Sequence, residues 1–266
     1  MIKLLATDLD GTLLDANGKV SRQNIDAIAA INKMGIPTIA ATARSPRSAS
    51  KISKTAGLGP YAICANGAIV YDLQSKTLLR HDPISQKVSK SIISILRDEF
   101  EAVILAGEYV DDFFAEANFF KRPIPDLIIP TTKDLLTKVD QGMTKVIGRV
   151  PGKSSEELRD HLAPMLSQFV DVTISGPDWI EFAAHGITKA HGVTIVCEII
   201  GISPSQVAAI GDQRNDLDML NLVGYPFTLQ SAHPDLFSIT DRVVPHHDDS
   251  GFSQLALEIE KIIAQN

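Results

Sequence analysis

One stretch decides the fold: Ile2-Lys3-Leu4-Leu5-Ala6-Thr7-Asp8-Leu9-Asp10-Gly11-Thr12-Leu13, an apolar run that leads directly into two acids and a glycine. A strand buried in a parallel sheet reads as a near-continuous apolar run. In open α/β sheets, ligands bind beyond the carboxyl ends of the strands. The stretch therefore predicts a buried parallel strand that places Asp8 and Asp10 at the edge of the sheet where a site forms.

The two acids have a specific chemical use at such a position. Side chains in extended backbone repeat every second residue, so we expect the carboxylates of Asp8 and Asp10 to project roughly the same way. Paired acids repel each other unless a cation neutralises them, and Mg²⁺ prefers one or two carboxylates together with substrate phosphate. Either acid can also act as a nucleophile, since aspartyl-phosphate chemistry uses a carboxylate. The alternative is a plain strand-to-turn transition, because Asp and Gly are ordinary turn residues.

Composition narrows the class of protein. The chain has 266 residues with 44% hydrophobic content, which is enough for a substantial core in one large domain or two smaller ones. Its net charge is −7 and it has no run of basic residues, which argues against nucleic acid as the main partner. The two cysteines, Cys64 and Cys197, match no metal or redox spacing and are predicted to be buried thiols in a reducing compartment.

Localisation follows from what the sequence lacks. No apolar run approaches the roughly 18 residues that a membrane span needs. The first residues form a strand pattern with no positively charged segment and cleavable apolar run. We therefore expect a cytoplasmic protein with no membrane partner, present as a monomer or a homodimer.

The order of patterns along the chain predicts a core with an insertion. Strand and helix patterns alternate over residues 1–82 and again over 186–266, and Asn66-Gly67 between two apolar runs predicts a hairpin. Residues 83–185 differ, with two helix patterns among five strand-like runs. The fold class is therefore α/β: a Rossmann-like doubly wound parallel sheet, with an inserted α+β domain at 83–185.

Polar residues follow other strands of the predicted core. The second strand ends in Thr42-Ala43-Arg44, a later strand ends in Gly211-Asp212, and Lys189 opens a helix. Because the carboxyl ends of parallel strands meet in one crevice, we expect it to gather Asp8, Asp10, Thr42, Lys189, Asp212, Asn215 and Asp216. Acids with a lysine and neutral hydrogen-bonding groups are typical of a site for a metal ion and a phosphate. Taken singly, each residue also has a structural explanation, such as a solvent-exposed lysine or acids favoured at a helix start.

These residues, in this order, resemble a known family. Asp8-Leu9-Asp10-Gly11-Thr12, Thr42-Ala43-Arg44, Lys189 and Gly211-Asp212-xx-Asn215-Asp216 are similar to the four motifs of the haloacid dehalogenase-like phosphatases. Asn66-Gly67-Ala68 and the insertion resemble the Cof-type subgroup, which carries a large α/β cap domain. The resemblance covers essentially the whole chain. Motif two departs from the family in having Ala43 where a glycine is usual.

The resemblance implies a role for each matching residue. Asp8 would be the nucleophile and Asp10 the general acid and base. Mg²⁺ would be held by Asp8, the backbone carbonyl of Asp10 and Asp212, with Asp216 orienting the site from close by. The transferring phosphoryl group would be bound by the side chains of Thr42, Lys189 and Asn215 and by the backbone N–H groups of Leu9 and Ala43.

Substrate contacts are expected beside motif two and in the insertion. Arg44 and Arg47 are candidates for a second anionic group, with a solvated helix face as the alternative. The cap would choose the substrate, and its candidates are Glu108, Asp111, Asp112, Lys121, Arg122, Trp179, Glu181 and His185.

The sequence and the resemblance thus predict an Mg²⁺-dependent phosphomonoester phosphatase that acts on small phosphorylated metabolites, with sugar phosphates as the expected class. Two alternatives stay open. A phosphosugar mutase also passes through an aspartyl-phosphate, and a catalytically idle protein could use the same cleft to bind phosphorylated ligands.

Overall fold

A computed structural model describes residues 1–120, 130–176 and 178–265. The chain forms two compact units: a first unit of Met1–Arg80 with Thr188–Asn266, and a second unit of His81–Ile187. Strands and helices are numbered below in chain order. Lys121 and Arg122, two of the expected cap residues, lie outside the described residues.

The first unit is built on one eight-stranded sheet. Its strands are β1 Leu4–Thr7, β2 Thr38–Ala41, β3 Tyr61–Cys64, β4 Ile69–Asp72, β5 Thr77–His81, β12 Val207–Gly211, β13 Tyr225–Leu229 and β14 Val243–Val244. They are arranged in the order β14-β13-β12-β1-β2-β3-β4-β5. The pairings from β14 to β3 are parallel, whereas β4 runs antiparallel to β3. All four residues of β1 are buried, as its apolar run predicts.

Helices cover this sheet. They are α1 Arg22–Lys33, α2 Pro46–Ala56, α5 Lys189–Ile200, α6 Leu217–Leu222 and α7 Leu255–Ala264. Helix α1 packs against α7, and α5 packs against α6. Leu4 and Ala6 of β1 share a core with Val193 of α5 and Met219 of α6. With the parallel sheet, this confirms the predicted α/β class.

The hairpin predicted from Asn66-Gly67 is present between β3 and β4. Its connection is a short 3₁₀ turn, Ala65–Gly67, that follows the carboxyl end of β3. Both Ala65 and Asn66 have positive φ, at 49° and 56°. Residues other than glycine rarely adopt this left-handed backbone conformation.

The order of the strands reverses beside β1. Strands β2 and β3 lie on one side of β1, and β12, β13 and β14 lie on the other. Ligands of doubly wound sheets bind at such a reversal, beyond the carboxyl ends of the strands. Asp8 follows β1 and Asp212 follows β12, so both acids lie at this switch point.

The second unit is a six-stranded sheet with helices packed on it. Its strands are β6 Ile104–Tyr109, β7 Asp112–Glu116, β8 Thr131–Thr132, β9 Lys145–Arg149, β10 Val170–Gly176 and β11 Trp179–Ala184, and its helices are α3 Gln86–Glu99 and α4 Ser155–Leu166. The sheet order is β10-β11-β9-β6-β7-β8, with β7 and β8 parallel and the other pairs antiparallel. Ser154 and Glu157 form the capping box that the sequence indicates at the start of α4.

None of the helices in the described ranges is both long enough and apolar enough to cross a lipid bilayer.

Candidate active site

A buried lysine lies between two aspartates at the centre of the site. The Nζ atom of Lys189 is 2.6 Å from Oδ1 of Asp8 and 2.7 Å from Oδ1 of Asp216. Lys189 and Asp216 are fully buried, and Asp8 is 5% exposed. Lys189 is the first residue of α5, where its ammonium group meets the residue that follows β1.

Asp212 is held beside this group by two donors. The hydroxyl of Thr12 donates to Oδ1 of Asp212 at 2.7 Å, and the side-chain amide of Gln213 donates to Oδ2 at 3.0 Å. Gly11 allows the close approach, since a β-carbon at this residue would lie 2.5 Å from Oδ2 of Asp212. Gly11 also has a φ of 79°, which a glycine adopts at little cost.

Asp216 has a different environment from Asp212. Its Oδ2 accepts the backbone N–H groups of Asp212 and Gln213 at 3.0 and 2.9 Å, while its Oδ1 accepts from Lys189. Asp216 therefore fixes the loop that carries Asp212 and ties it to the lysine. The side chain is a support for the loop and also part of the acidic cluster.

The charges of this cluster are not balanced. Burial raises the pKa of Asp8 well above its ordinary value; the ammonium group of Lys189 lowers it, and the carboxylates of Asp216 and Asp212 raise it further. Burial also raises the pKa of Asp212, against the hydrogen bond from Thr12. Burial alone would lower the pKa of Lys189, but Asp216 and Asp8 outweigh it and the pKa is raised. Three buried carboxylates thus share one ammonium group.

The acids fit a hard divalent cation. Asp8, Asp212 and Asp216 each offer a carboxylate oxygen, and these oxygens all lie within 4.8 Å of one another. All three residues are buried, so water does not screen their repulsion. Carboxylate oxygens with excess negative charge are the ligands that hard divalent cations such as Mg²⁺ and Ca²⁺ prefer.

Asp10 does not share this cluster, contrary to the expectation that it projects with Asp8. Its carboxylate accepts two hydrogen bonds from Arg44, at 2.7 Å to Nε and 2.5 Å to Nη2. Its side chain is 54% exposed, whereas that of Asp8 is 8% exposed. The physical reason is that β1 ends at Thr7 and the chain turns over Leu9–Leu13, so the two-residue alternation of a strand no longer applies.

Thr42 and Asn215 lie on neighbouring loops of the first unit. Thr42 is fully buried, and its Oγ1 accepts the backbone N–H of Arg44 at 3.2 Å. Asn215 is exposed on the 3₁₀ turn Arg214–Asp216, and its Nδ2 donates to Oδ1 of Asn66 at 3.1 Å. Lys189 thus contacts Asp8 and Asp216, Asp212 lies in the same acidic cluster, and Asn215 and Asp10 are held by other partners.

The sequence also matches a known family. A profile of the haloacid dehalogenase-like hydrolases matches residues 5–255. The chain belongs to this family. The membership that the four motifs indicate is thereby confirmed.

Relatives of this hydrolase share its length as well as its fold. A phosphatase of Bacillus subtilis, YwpJ, is 24% identical over 96% of this chain and 98% of its own. A solved haloacid dehalogenase-like hydrolase from Bacteroides thetaiotaomicron superposes with a TM-score of 0.84 at 21% identity, over 97% of this chain and all of that one. A structure described as a sugar phosphatase of subclass IIB has a TM-score of 0.82 at 20% identity, covering 97% of this chain and 99% of its own.

The remaining predicted residues of this hydrolase flank the cluster. Leu9 is buried in the turn after Asp8, and Ala43 is partly buried after Thr42. Arg44 is tied to Asp10 and also donates from Nη1 to Ser48 at 3.1 Å. Arg47 is exposed in the first turn of α2.

The expected cap residues occupy several places in the second unit. Glu181 of β11 is buried and forms an ion pair with Lys145 of β9 at 2.8 Å. His185 is exposed and lies 3.0 Å from a carboxylate oxygen of Asp171. The other candidates are spread over three strands and a turn: Glu108 on β6, Asp111 in the following turn, Asp112 on β7 and Trp179 on β11.

Sequence reasoning missed three side chains that hold the site together. Thr12 and Gln213 both hold Asp212, and Asn66 holds Asn215. The sequence carried a signal for the first two: Thr12 belongs to the motif that begins at Asp8, and Gln213 directly follows Asp212. Asn66 had two signals, since Asn-Gly predicts a hairpin and Asn66-Gly67-Ala68 resembles the Cof-type subgroup, but neither indicates a contact with residue 215.

Proposed function

We propose that this hydrolase is an Mg²⁺-dependent phosphatase that cleaves phosphomonoesters of small metabolites through an aspartyl-phosphate. One observation carries the proposal: Asp8, Asp212 and Asp216 are buried in one acidic cluster, and the ammonium group of Lys189 contacts Asp8 and Asp216. A cluster with excess negative charge binds a cation, and a cation beside a nucleophilic carboxylate binds phosphate.

The residues that would hold Mg²⁺ are Asp8, Asp212 and the backbone carbonyl of Asp10, with Asp216 fixing the loop of Asp212. When bound, the ion supplies positive charge that neutralises these acids and the oxygens of the phosphoryl group. The geometry of Asp216 supports its orienting role, because both of its oxygens already accept hydrogen bonds from the protein.

The first step forms a bond between Asp8 and phosphorus. Lys189 contacts Oδ1 of Asp8, which leaves Oδ2 to attack the phosphorus atom. As the new O–P bond forms, the bond from phosphorus to the ester oxygen breaks, and that oxygen takes a proton from Asp10. The products of this step are a free alcohol and Asp8 carrying the phosphoryl group as an acyl phosphate.

The second step returns the enzyme to its starting state. Asp10, now a carboxylate, removes a proton from a water molecule whose oxygen attacks phosphorus. The bond between phosphorus and Asp8 breaks, inorganic phosphate leaves, and Asp10 is again protonated for the next turnover. Asp10 must move off Arg44 for both transfers, and its half-exposed side chain in a turn gives it room to do so.

The phosphoryl group is bound by residues from separate loops. We assign this role to the side chains of Thr42, Lys189 and Asn215 and to the backbone N–H groups of Leu9 and Ala43. Phosphoryl transfer depends mainly on positioning and on neutralising charge, and this set supplies both. Arg44 and Arg47 are the candidates for a second anionic group of the substrate.

Sugar phosphates are the substrate class we propose. A fold neighbour of nearly the same length is described as a sugar phosphatase, and YwpJ is named a phosphatase. The cytoplasm is the proposed location, and the buried, unbridged thiols of Cys64 and Cys197 suit its reducing conditions.

The test is release of inorganic phosphate from a panel of sugar phosphates, nucleotides and pyridoxal phosphate, measured with Mg²⁺ and with a chelator. We expect Mg²⁺-dependent release that is highest for a sugar phosphate and is abolished in Asp8→Asn. Asp26→Asn, which alters an exposed acid of α1, is the matched control and should keep wild-type activity. Release that persists in Asp8→Asn would contradict the proposed role of Asp8, and transfer of phosphate between sugars without release would indicate the mutase instead.

A further inference from the structure

The turn Ala65–Gly67 holds a costly backbone conformation beside the proposed site. Its φ angles are 49° at Ala65, 56° at Asn66 and 99° at Gly67, all in the left-handed region. A residue other than glycine is strained in that region, and such residues persist only where the surroundings hold them in place. The contacts of this turn show what holds it.

The backbone of the turn Ala65–Gly67 forms hydrogen bonds with the loop that follows β2. The N–H of Asn66 donates to the carbonyl of Thr42 at 3.0 Å, and the N–H of Ala65 donates to the carbonyl of Arg44 at 2.9 Å. The turn is thereby fixed on both sides of Ala43, within the segment proposed to bind the phosphoryl group.

Gly67, the last residue of this turn, packs against the start of α5. A β-carbon at Gly67 would collide with the backbone carbonyl of Thr188, the residue before Lys189. A β-carbon at Gly192, one turn further along α5, would lie 3.2 Å from the α-carbon of Gly67. Backbone contact of this kind fixes the turn relative to the helix that carries the buried lysine.

A side chain of this turn, that of Asn66, also contacts Asn215. Oδ1 of Asn66 accepts a hydrogen bond from Nδ2 of Asn215 at 3.1 Å. Asn215 is exposed on a three-residue 3₁₀ turn, so neighbouring side chains do little to select its rotamer. The hydrogen bond that Asn215 donates to Asn66 selects one orientation of the Asn215 amide and leaves its second proton for a ligand.

We propose that Asn66 is a positioning residue for phosphoryl transfer, which acts by orienting the amide of Asn215. The inference rests on the proposed function. The left-handed backbone at Asn66 aims its side chain at Asn215, and the contacts of the same turn with Thr42, Arg44 and Thr188 set the position from which it does so. One turn thus relates three of the segments that are proposed to bind the phosphoryl group.

The test is steady-state phosphate release by Asn66→Gly, Asn215→Ala and the double variant, on the best substrate of the panel. Glycine keeps the left-handed backbone and removes only the side chain. We expect kcat of Asn66→Gly to fall about ten-fold while KM changes less than about three-fold, because Thr42, Lys189 and the metal still bind the ground state. In the Asn215→Ala background the same change should alter kcat less than about two-fold, since its partner is gone.

A matched control separates this effect from a general loss of backbone rigidity. Asn118→Gly replaces another exposed asparagine in the left-handed conformation, with a φ of 65° and a position in the second unit. It should keep the wild-type kcat, and thermal unfolding should show that all variants are folded at the assay temperature.

Two results would overturn the inference while leaving the proposed function in place. The first is an active wild type with an unchanged kcat in Asn66→Gly. The second is an equal loss of kcat from Asn66→Gly with and without Asn215, which would show that Asn66 acts through the fold alone. If the wild type releases no phosphate from any compound, the proposed function fails and the inference fails with it.

Discussion

Lys189 has the most demanding position of any single residue in the site. It is fully buried with two carboxylates within 2.7 Å, and a third acid lies in the same cluster. Removing one partner from a buried ion pair leaves an uncompensated charge, which costs more than the pair contributes. We therefore expect the lysine to contribute to stability in addition to its proposed role in binding the phosphoryl group.

Lys189→Met keeps the length of the side chain and removes its charge. We expect the free energy of unfolding of the first unit to fall by about 3 kcal/mol, because Asp8 and Asp216 then repel each other in a buried site. Mg²⁺ should restore more stability to this variant than to the wild type, since the ion supplies the positive charge that was lost. Urea unfolding with Mg²⁺ and with a chelator measures both effects.

Lys51→Met is the control, since Lys51 is exposed on α2. Its stability and its response to Mg²⁺ should match the wild type within about 0.5 kcal/mol. A Lys189→Met protein as stable as the wild type, or with the same response to Mg²⁺, would contradict the account of the charge cluster.

At this scale the sequence placed Asp8, Asp212 and Asp216 in one crevice with Lys189, but it wrongly added Asp10 and missed how the exposed residues pair. Asp8, Asp212 and Lys189 could be placed together because each lies at the end of a core strand or the start of a core helix. The pairing of Asp10 with Arg44 could not, because Asp10 lies in a turn where no periodicity fixes the direction of a side chain.

The helices of the first unit begin and end next to residue types that are typical of helix ends. Gly57 and Gly201 follow the last residues of α2 and α5 in the left-handed conformation, as their sequence positions indicate. The residues that precede the helices are less uniform in what their side chains do. Ser21, Ser45 and Thr188 all precede helices, but only the side chain of Ser21 accepts a backbone N–H, that of Asn24 at 3.1 Å.

This difference gives a matched pair of substitutions within one unit. Ser21→Ala should lower the free energy of unfolding by about 1 kcal/mol, because the N–H of Asn24 loses its acceptor. Ser45→Ala should have an effect below about 0.5 kcal/mol, since its side chain makes no capping bond. Chemical denaturation of both variants measures the contrast, and equal losses would show that the capping bond of Ser21 contributes nothing.

Strand β8 is too short to be predicted from the sequence. It consists of Thr131–Thr132 alone, paired in parallel with the end of β7. Two residues are too few for any alternation of apolar and polar side chains to appear. By contrast, β1 was evident because four buried positions run directly into a distinctive turn.

At the scale of the whole molecule, the sequence indicates that a helix-covered sheet and an insertion form, but not which strands pair with each other. Alternating strands and helices predicted a parallel sheet, and the change of texture after residue 82 predicted a separate insertion. The pairing of β1 with β12, which creates the switch point, joins segments about 200 residues apart in the chain. No local pattern encodes that pairing, because it is decided by how the two halves of the sheet bury their apolar faces together.

The central claim is that Asp8 carries the phosphoryl group during turnover, and trapping that state tests it most directly. The Asp10→Asn variant would be mixed with p-nitrophenyl phosphate and Mg²⁺, quenched in acid, and analysed by mass spectrometry after borohydride reduction. The nitrophenolate leaves without needing a proton, so the first step proceeds, while the second step lacks its base and the acyl phosphate accumulates.

We predict protein that carries one phosphoryl group before reduction and homoserine at residue 8 after it, with neither change in an Asp8→Asn, Asp10→Asn double variant. Phosphate released with no phosphorylated protein at any time, or a label on a residue other than Asp8, would contradict the account.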